Sequence, residues 1–133
     1  MGVAAVENIA RWQTSPWKGE GNPGGPDYPF PGIAYTWVVD GDGMLYRCWS
    51  LEVRTWHNGA VVGGVARNAS HVGAAYIGPL QPNLAQLAGL ARARRLSEEE
   101  LGWRLDLEGH KDHFPTSCPR DWPAWRPELE AVD

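Results

Sequence analysis

No stretch of this sequence approaches the roughly 20 consecutive apolar residues that a bilayer-spanning helix needs, so no membrane segment is expected. Nor is there an excess of basic charge. Twelve Lys and Arg stand against 16 Asp and Glu, a net charge of -4, and no basic patch suggests a nucleic-acid partner. Cysteine is scarce: Cys48 and Cys118 lie 70 positions apart, which allows one bridge at most and no disulfide framework. Met1 to Ala10 lacks a basic segment ahead of an apolar run, so no signal peptide is read and the chain is expected to be made in the cytoplasm. Histidine is absent before His57, and no internal repeat is visible.

What is present fits one domain over residues 1–133, with 43% hydrophobic and 21% charged residues, enough apolar material for a core. Tryptophan stands out, at eight residues. An indole offers a flat apolar face and one N–H donor, which suits core packing with a single polar contact and also suits stacking on sugars.

Residues 3–13 space their apolar positions as a short amphipathic helix, with Glu7 four residues ahead of Arg11. Residues 15–32 hold five prolines and five glycines and read as an irregular loop. Residues 33–39 and 44–50 read as two strands of a hairpin around Asp40-Gly41-Asp42-Gly43. Residues 55–60 read as a short exposed segment and 71–78 as a third strand. Residues 83–96 form a clear helix, and Ser97-Glu98-Glu99-Glu100 reads as a capping box opening a second helical turn. Residues 103–109 alternate apolar and polar as a strand, and the tail from 121 carries one last helical turn. The expected fold class is α/β, a mixed central sheet flanked by helices.

The densest chemistry lies in Gly109-His110-Lys111-Asp112-His113-Phe114-Pro115-Thr116-Ser117-Cys118-Pro119. A histidine and a cysteine eight positions apart across a loop can converge on one zinc ion. Two donors do not make a site, and a surface His110 with a buried free Cys118 is the competing reading.

This segment resembles the pattern G-H-[RK]-D-x-x-P-[TK]-x-C-P of the type 2 N-acetylmuramoyl-L-alanine amidases and peptidoglycan recognition proteins. IAYTWVVDGDGMLY is similar to the hairpin of that family, TWHNGA to its short histidine segment, NASHVGAAYIG to a following strand and PNLAQLAGLARA to the next helix. The five segments recur in family order over about residues 30–120. The resemblance implies a zinc held by two histidines and a cysteine, with His110 and Cys118 on two of these positions. It places Tyr35 beside the metal and Thr116 where it steadies the tetrahedral intermediate. It puts His57 on the substrate groove, with Trp37 and Trp56 as candidate groove walls. The blander readings are a core-facing ring for Tyr35, a turn role for Thr116 and a solvated loop histidine at His57. Asp112 is expected to be structural, accepting backbone N–H bonds.

The chain departs from the family in two places. The family's first histidine sits on a strand ahead of the first helix, and Met1 falls near the start of that helix, so this strand and its ligand are expected to be missing. Thr36 replaces the family histidine after the tyrosine. His113 or His71 is the in-chain candidate for the third ligand; truncation of the chain, or loss of catalysis, would account for the gap instead. Retention of His110 with Cys118 favours a metal site that is still selected or recently lost, because members that only bind often carry Ser in place of the cysteine. The resemblance thus implies zinc-dependent hydrolysis of the amide between N-acetylmuramic acid and L-alanine in bacterial cell-wall peptidoglycan, as in a phage-type endolysin. The alternatives are a non-catalytic module that binds the muropeptide and a small protein with a structural zinc.

Overall fold

The computed structural model describes residues 3–14, 33–55, 57, 61–78, 81–112 and 118–132. Helix α1 spans Val3–Thr14. Strands β1 (Trp37–Val39) and β2 (Leu45–Arg47) form the hairpin, in register Val39↔Leu45 through Trp37↔Arg47. Asp40 builds its turn: Oδ1 accepts from the backbone N–H of Asp42 at 2.9 Å and of Met44 at 3.0 Å. A carboxylate that caps its own turn is the usual reason for Asp at this position. Of the extended stretch expected from residue 33, the strand proper begins at Trp37, with Thr36 already donating to the Gly73 carbonyl at 3.0 Å and accepting from the Cys48 N–H at 2.7 Å.

Strands β3 (Val61–Val62) and β4 (Val65–Ala66) make a second, minimal hairpin, followed directly by the short helix α2 (Arg67–Ser70). Gly63 and Gly64 sit at φ 59° and 77°, the left-handed pair that a two-residue hairpin loop requires. Strand β5 (Ala74–Tyr76) returns to the main sheet parallel to β1, so the order is β2-β1-β5 and the sheet is mixed.

Helix α3 runs unbroken over Leu84–Leu101. Its cap is Asn83, whose side chain accepts from the N–H of Gln86 at 2.8 Å, while the Gln86 side chain accepts from the Asn83 N–H at 3.0 Å. Gln86 Nε2 also donates to the carbonyls of Ile77 and Asp40, at 2.8 and 3.1 Å, and so fixes the helix start against the ends of β5 and β1. Ser97 does not open a new helix, contrary to its capping-box pattern. It lies inside α3, fully buried, donating to the Ala93 carbonyl at 2.8 Å and accepting from the Trp37 indole at 2.8 Å. A hydroxyl that can bond back to the carbonyl four residues earlier is tolerated in a helix interior.

Residues 103–109, read as a strand from their alternation, form none; residues 104–108 alternate in burial as that pattern predicts, but no strand pairs with them among the described residues. A 3-10 turn over His110–Asp112 follows. The last element, α4, is longer than one turn and spans Trp122–Glu130. It closes the core, in which Trp122, Trp125 and Leu129 pack on Val39, Leu87, Leu90 and Ala91. Trp122 and Trp125 meet edge to face at 4.6 Å between ring centres. Four indoles follow the core reading with one polar contact. Those of Trp37, Trp49, Trp122 and Trp125 donate to Ser97 Oγ, the Ile33 carbonyl, Asp112 Oδ2 and the Arg120 carbonyl. The irregular loop read at residues 15–32 lies outside the described residues. No helix is long and apolar enough to cross a membrane among those described.

Candidate functional site

A groove of about 800 Å³ runs beside β5, between that strand and residues 104–109, over α3 and α4. Tyr35, Trp37, His57, His110 and Cys118 all line it. They come from the stretch entering β1, the loop at His57, the 3-10 turn at His110 and the loop at Cys118. Tyr35 precedes β1 and is half-buried; period-two alternation puts it on the same face as Trp37. Trp37 is mostly core: it is 4% exposed, its N–H is taken by Ser97, and the Arg47 guanidinium lies 5.3 Å from its ring centre. Trp56, Thr116 and His113 lie outside the described residues.

His57 is anchored from two sides. Its ring packs on the bare backbone of Gly73, and its Nδ1 lies 2.9 Å from Oγ1 of the buried Thr55. Its Nε2 is buried with no hydrogen-bond partner. Burial, and then the nearby His71 and His110, lower its pKa from 6.5 to about 4, so the ring is neutral at pH 7. A neutral imidazole with one nitrogen held and the other open can accept or donate one hydrogen bond to a ligand. Sequence reasoning did not single out Thr55, because the stretch around it reads as exposed loop. A buried polar side chain two residues from a histidine leaves no periodic signal.

His110 and Cys118 are joined through backbone. The Lys111 N–H donates to the Cys118 carbonyl at 2.8 Å, which folds the loop back on the 3-10 turn. Asp112 holds that turn in place, since its Oδ2 accepts from the Gly109 N–H at 2.6 Å and from the Trp122 indole at 3.0 Å. This is the structural role expected of it. Burial lowers the His110 pKa and raises that of the Cys118 thiol, so both side chains are held toward their neutral forms. Both cysteines are free thiols.

His71 does not serve as a third donor. Its Nδ1 bonds Ser70 Oγ at 2.7 Å and its Nε2 bonds the Glu108 carboxylate, so both ring nitrogens are occupied. Among the described residues no three of His, Cys, Asp and Glu are arranged to hold a metal ion. His110 and Cys118 therefore supply two donors of the kinds zinc prefers, and the described residues do not complete the three-donor set that a catalytic zinc needs.

Comparison with known proteins locates this arrangement. No family model matches the chain. The chain is 27% identical over 112 residues to a peptidoglycan-recognition protein of Drosophila simulans and, equally, to its namesake in Drosophila melanogaster. The match covers 74% of this chain, which spans 58% of the length of those relatives. Among solved structures it superposes with TM-score 0.60 on the N-acetylmuramoyl-L-alanine amidase LysC from Clostridium intestinale URNW, at 24% identity, over 78% of this chain and 68% of that one. The endolysin amidase LysCS of the same organism gives the same score over 67% of its length. The chain takes the fold of these amidases and resembles the peptidoglycan-recognition proteins in sequence, the family to which its motifs point.

Proposed function

We propose that this chain acts on bacterial peptidoglycan as an N-acetylmuramoyl-L-alanine amidase of the endolysin kind, cleaving the amide between N-acetylmuramic acid and L-alanine. One observation carries the reading: His110, Cys118, His57 and Tyr35, from four separate segments, meet along one groove in an amidase fold. In this reading the groove holds the glycan-linked stem peptide. His57, with its unpartnered Nε2, is assigned to the substrate and Tyr35 to the reacting carbonyl; Thr116, Trp37 and Trp56 keep the roles that the resemblance implies. His110 and Cys118 are two of the zinc donors, and the ion, when bound with a third, would polarise the carbonyl and lower the pKa of a bound water. The site of action is the cell wall.

A second reading is favoured by the two-donor count: a module that binds muropeptide without cleaving it. One experiment separates the two. Purified cell walls are incubated with the chain, and newly exposed alanine α-amino groups are counted, with and without added zinc and chelator. Zinc-dependent release supports the amidase. Muropeptide binding with no release supports the binding module, and absence of both rejects the peptidoglycan reading altogether. We expect release to be slow, because the described residues supply only two zinc donors, and two hold zinc weakly.

A further inference from the structure

We propose that Thr55 is a positioning residue: its hydroxyl locks His57 in the form that carries the proton on Nε2, so that the groove presents a hydrogen-bond donor there and takes an amide carbonyl oxygen. The identity of the ligand rests on the peptidoglycan reading; the place of the proton on the ring does not.

Donors and acceptors around the ring decide where the proton sits. A neutral imidazole has one N–H and one bare nitrogen, and the partners select which is which. His57 is neutral at pH 7, because burial lowers its pKa to about 4. Among the described residues its Nδ1 has one hydrogen-bond partner, Thr55 Oγ1 at 2.9 Å. Gly73, against which the Nδ1 edge of the ring packs, is no alternative. Its carbonyl already accepts from the N–H groups of Thr36 and Trp37, at 3.0 and 3.1 Å.

Thr55 is equally constrained. It is 2% exposed, and among the described residues its hydroxyl has His57 as its sole hydrogen-bond partner. With the proton on Nδ1, the ring would donate to Oγ1. The hydroxyl hydrogen would then be buried without an acceptor, and Nε2 would be a second orphan, a bare acceptor. When the hydroxyl instead donates to Nδ1, both of these groups are satisfied and a single orphan is left, the Nε2–H. Each buried polar group without a partner destabilises the fold, so the form with one orphan prevails over the form with two. Threonine suits the task, because branching at Cβ restricts χ1 and keeps the hydroxyl aimed at the ring.

The group left over is the one that meets a ligand. His57 lines the groove, and its Nε2 has no partner among the described residues. An Nε2–H only donates, so the ligand atom opposite it is an acceptor. The neutral ring brings no positive charge, and a carboxylate buried against it would lose hydration without gaining a counter-charge from the ring. An amide carbonyl, which a stem peptide repeats along its length, carries no such penalty. His57 in this form is no general base either, since the lone pair of Nδ1 is occupied by Thr55.

The test begins on the ligand-free chain, with isotope-labelled histidine rings and His57 assigned by its loss in His57→Gln. Long-range proton–nitrogen correlation at pH 7 should show a proton on Nε2 and a bare Nδ1. A proton on Nδ1, an averaged pair of nitrogens or a doubly protonated ring would overturn the proposal. Because this measurement uses the parent chain, it does not depend on any variant folding. Thr55→Val keeps the shape of the side chain and removes the hydroxyl. Both forms of the ring then leave equal numbers of orphans, so the nitrogen signals should average, and muropeptide binding should weaken about tenfold, the effect expected of one hydrogen bond. Thr55→Ser should restore both, which a packing role alone would not. Unchanged nitrogen signals or unchanged binding in Thr55→Val would overturn the role of Thr55, as would failure of serine to restore the signals. Absence of muropeptide binding by the parent chain would overturn the ligand assignment and the peptidoglycan reading together, whereas a bare Nε2 would overturn this inference alone.

Discussion

A Cβ built on Gly73 would stand 2.5 Å from Cγ of His57. No side chain fits between this backbone and the imidazole, so the position of His57 is set by the absence of one at residue 73. Gly73→Ala should push the ring out of its pocket and off Thr55. We expect a loss of about 1–3 kcal/mol of stability, the usual cost of overpacking. Proton-resolved NMR should show the His57 titration midpoint rising from about 4 toward 6.5. An unchanged midpoint would mean that the ring had not moved.

The same histidine predicts a pH dependence. Unfolded, it takes a proton near pH 6.5; folded, near pH 4. Between these values the unfolded chain binds more protons, so this contribution to stability falls as pH drops through the window and is at its full level above it. His110 shifts in the same direction through burial. Urea midpoints measured from pH 7 to pH 4 should decline more steeply for the parent chain than for His57→Gln, which cannot titrate.

Asp112 should act on the His110 turn and on stability together. Asp112→Ala leaves the Gly109 N–H and the Trp122 indole without their acceptor. Because the site is only partly buried, the expected cost is about 1–2 kcal/mol, the low end for an orphaned donor pair. Denaturant unfolding measures that cost. Muropeptide binding should weaken in parallel, whereas a change at a distant exposed carboxylate such as Glu128 should leave both untouched.

With two donors among the described residues, zinc should bind this chain weakly. Loss of even an outer partner typically costs 10–100-fold in metal affinity, and a missing donor should cost more. Calorimetry with equimolar zinc should leave Tm unchanged. What binds at excess should disappear in both His110→Ala and Cys118→Ser. A Tm rise of several degrees at equimolar zinc would show that a third donor is present.

Much of the fold is legible in the sequence, and the failures have causes. The Asp40–Gly43 turn and the Asn83 helix start can be read because their chemistry is local: a side chain bonds its own neighbouring backbone. Ser97 misleads because a serine followed by acidic residues is a local signal, and what decides its place is the Trp37 indole 60 positions away. The Gly63-Gly64 hairpin has turn chemistry but strands of only two residues, too short for alternation to show. Residues 103–109 have the alternation of a strand, but pairing needs a neighbour that periodicity alone cannot supply. At the site, motif spacing brings His110 and Cys118 into view. The anchoring of His57 on Gly73 and Thr55 depends on contacts that leave no pattern in the chain.

The position of α4 in the core bears on the order in which the protein can be made. Val39, Leu87 and Leu90 are synthesised early, yet they are covered by Trp122, Trp125 and Leu129. On the ribosome the sheet and α3 must wait, apolar faces open, until residue 129 has cleared the exit tunnel. Folding of this domain is therefore late and near all-or-none with respect to chain length, and a pause in translation before α4 exposes the nascent chain to aggregation.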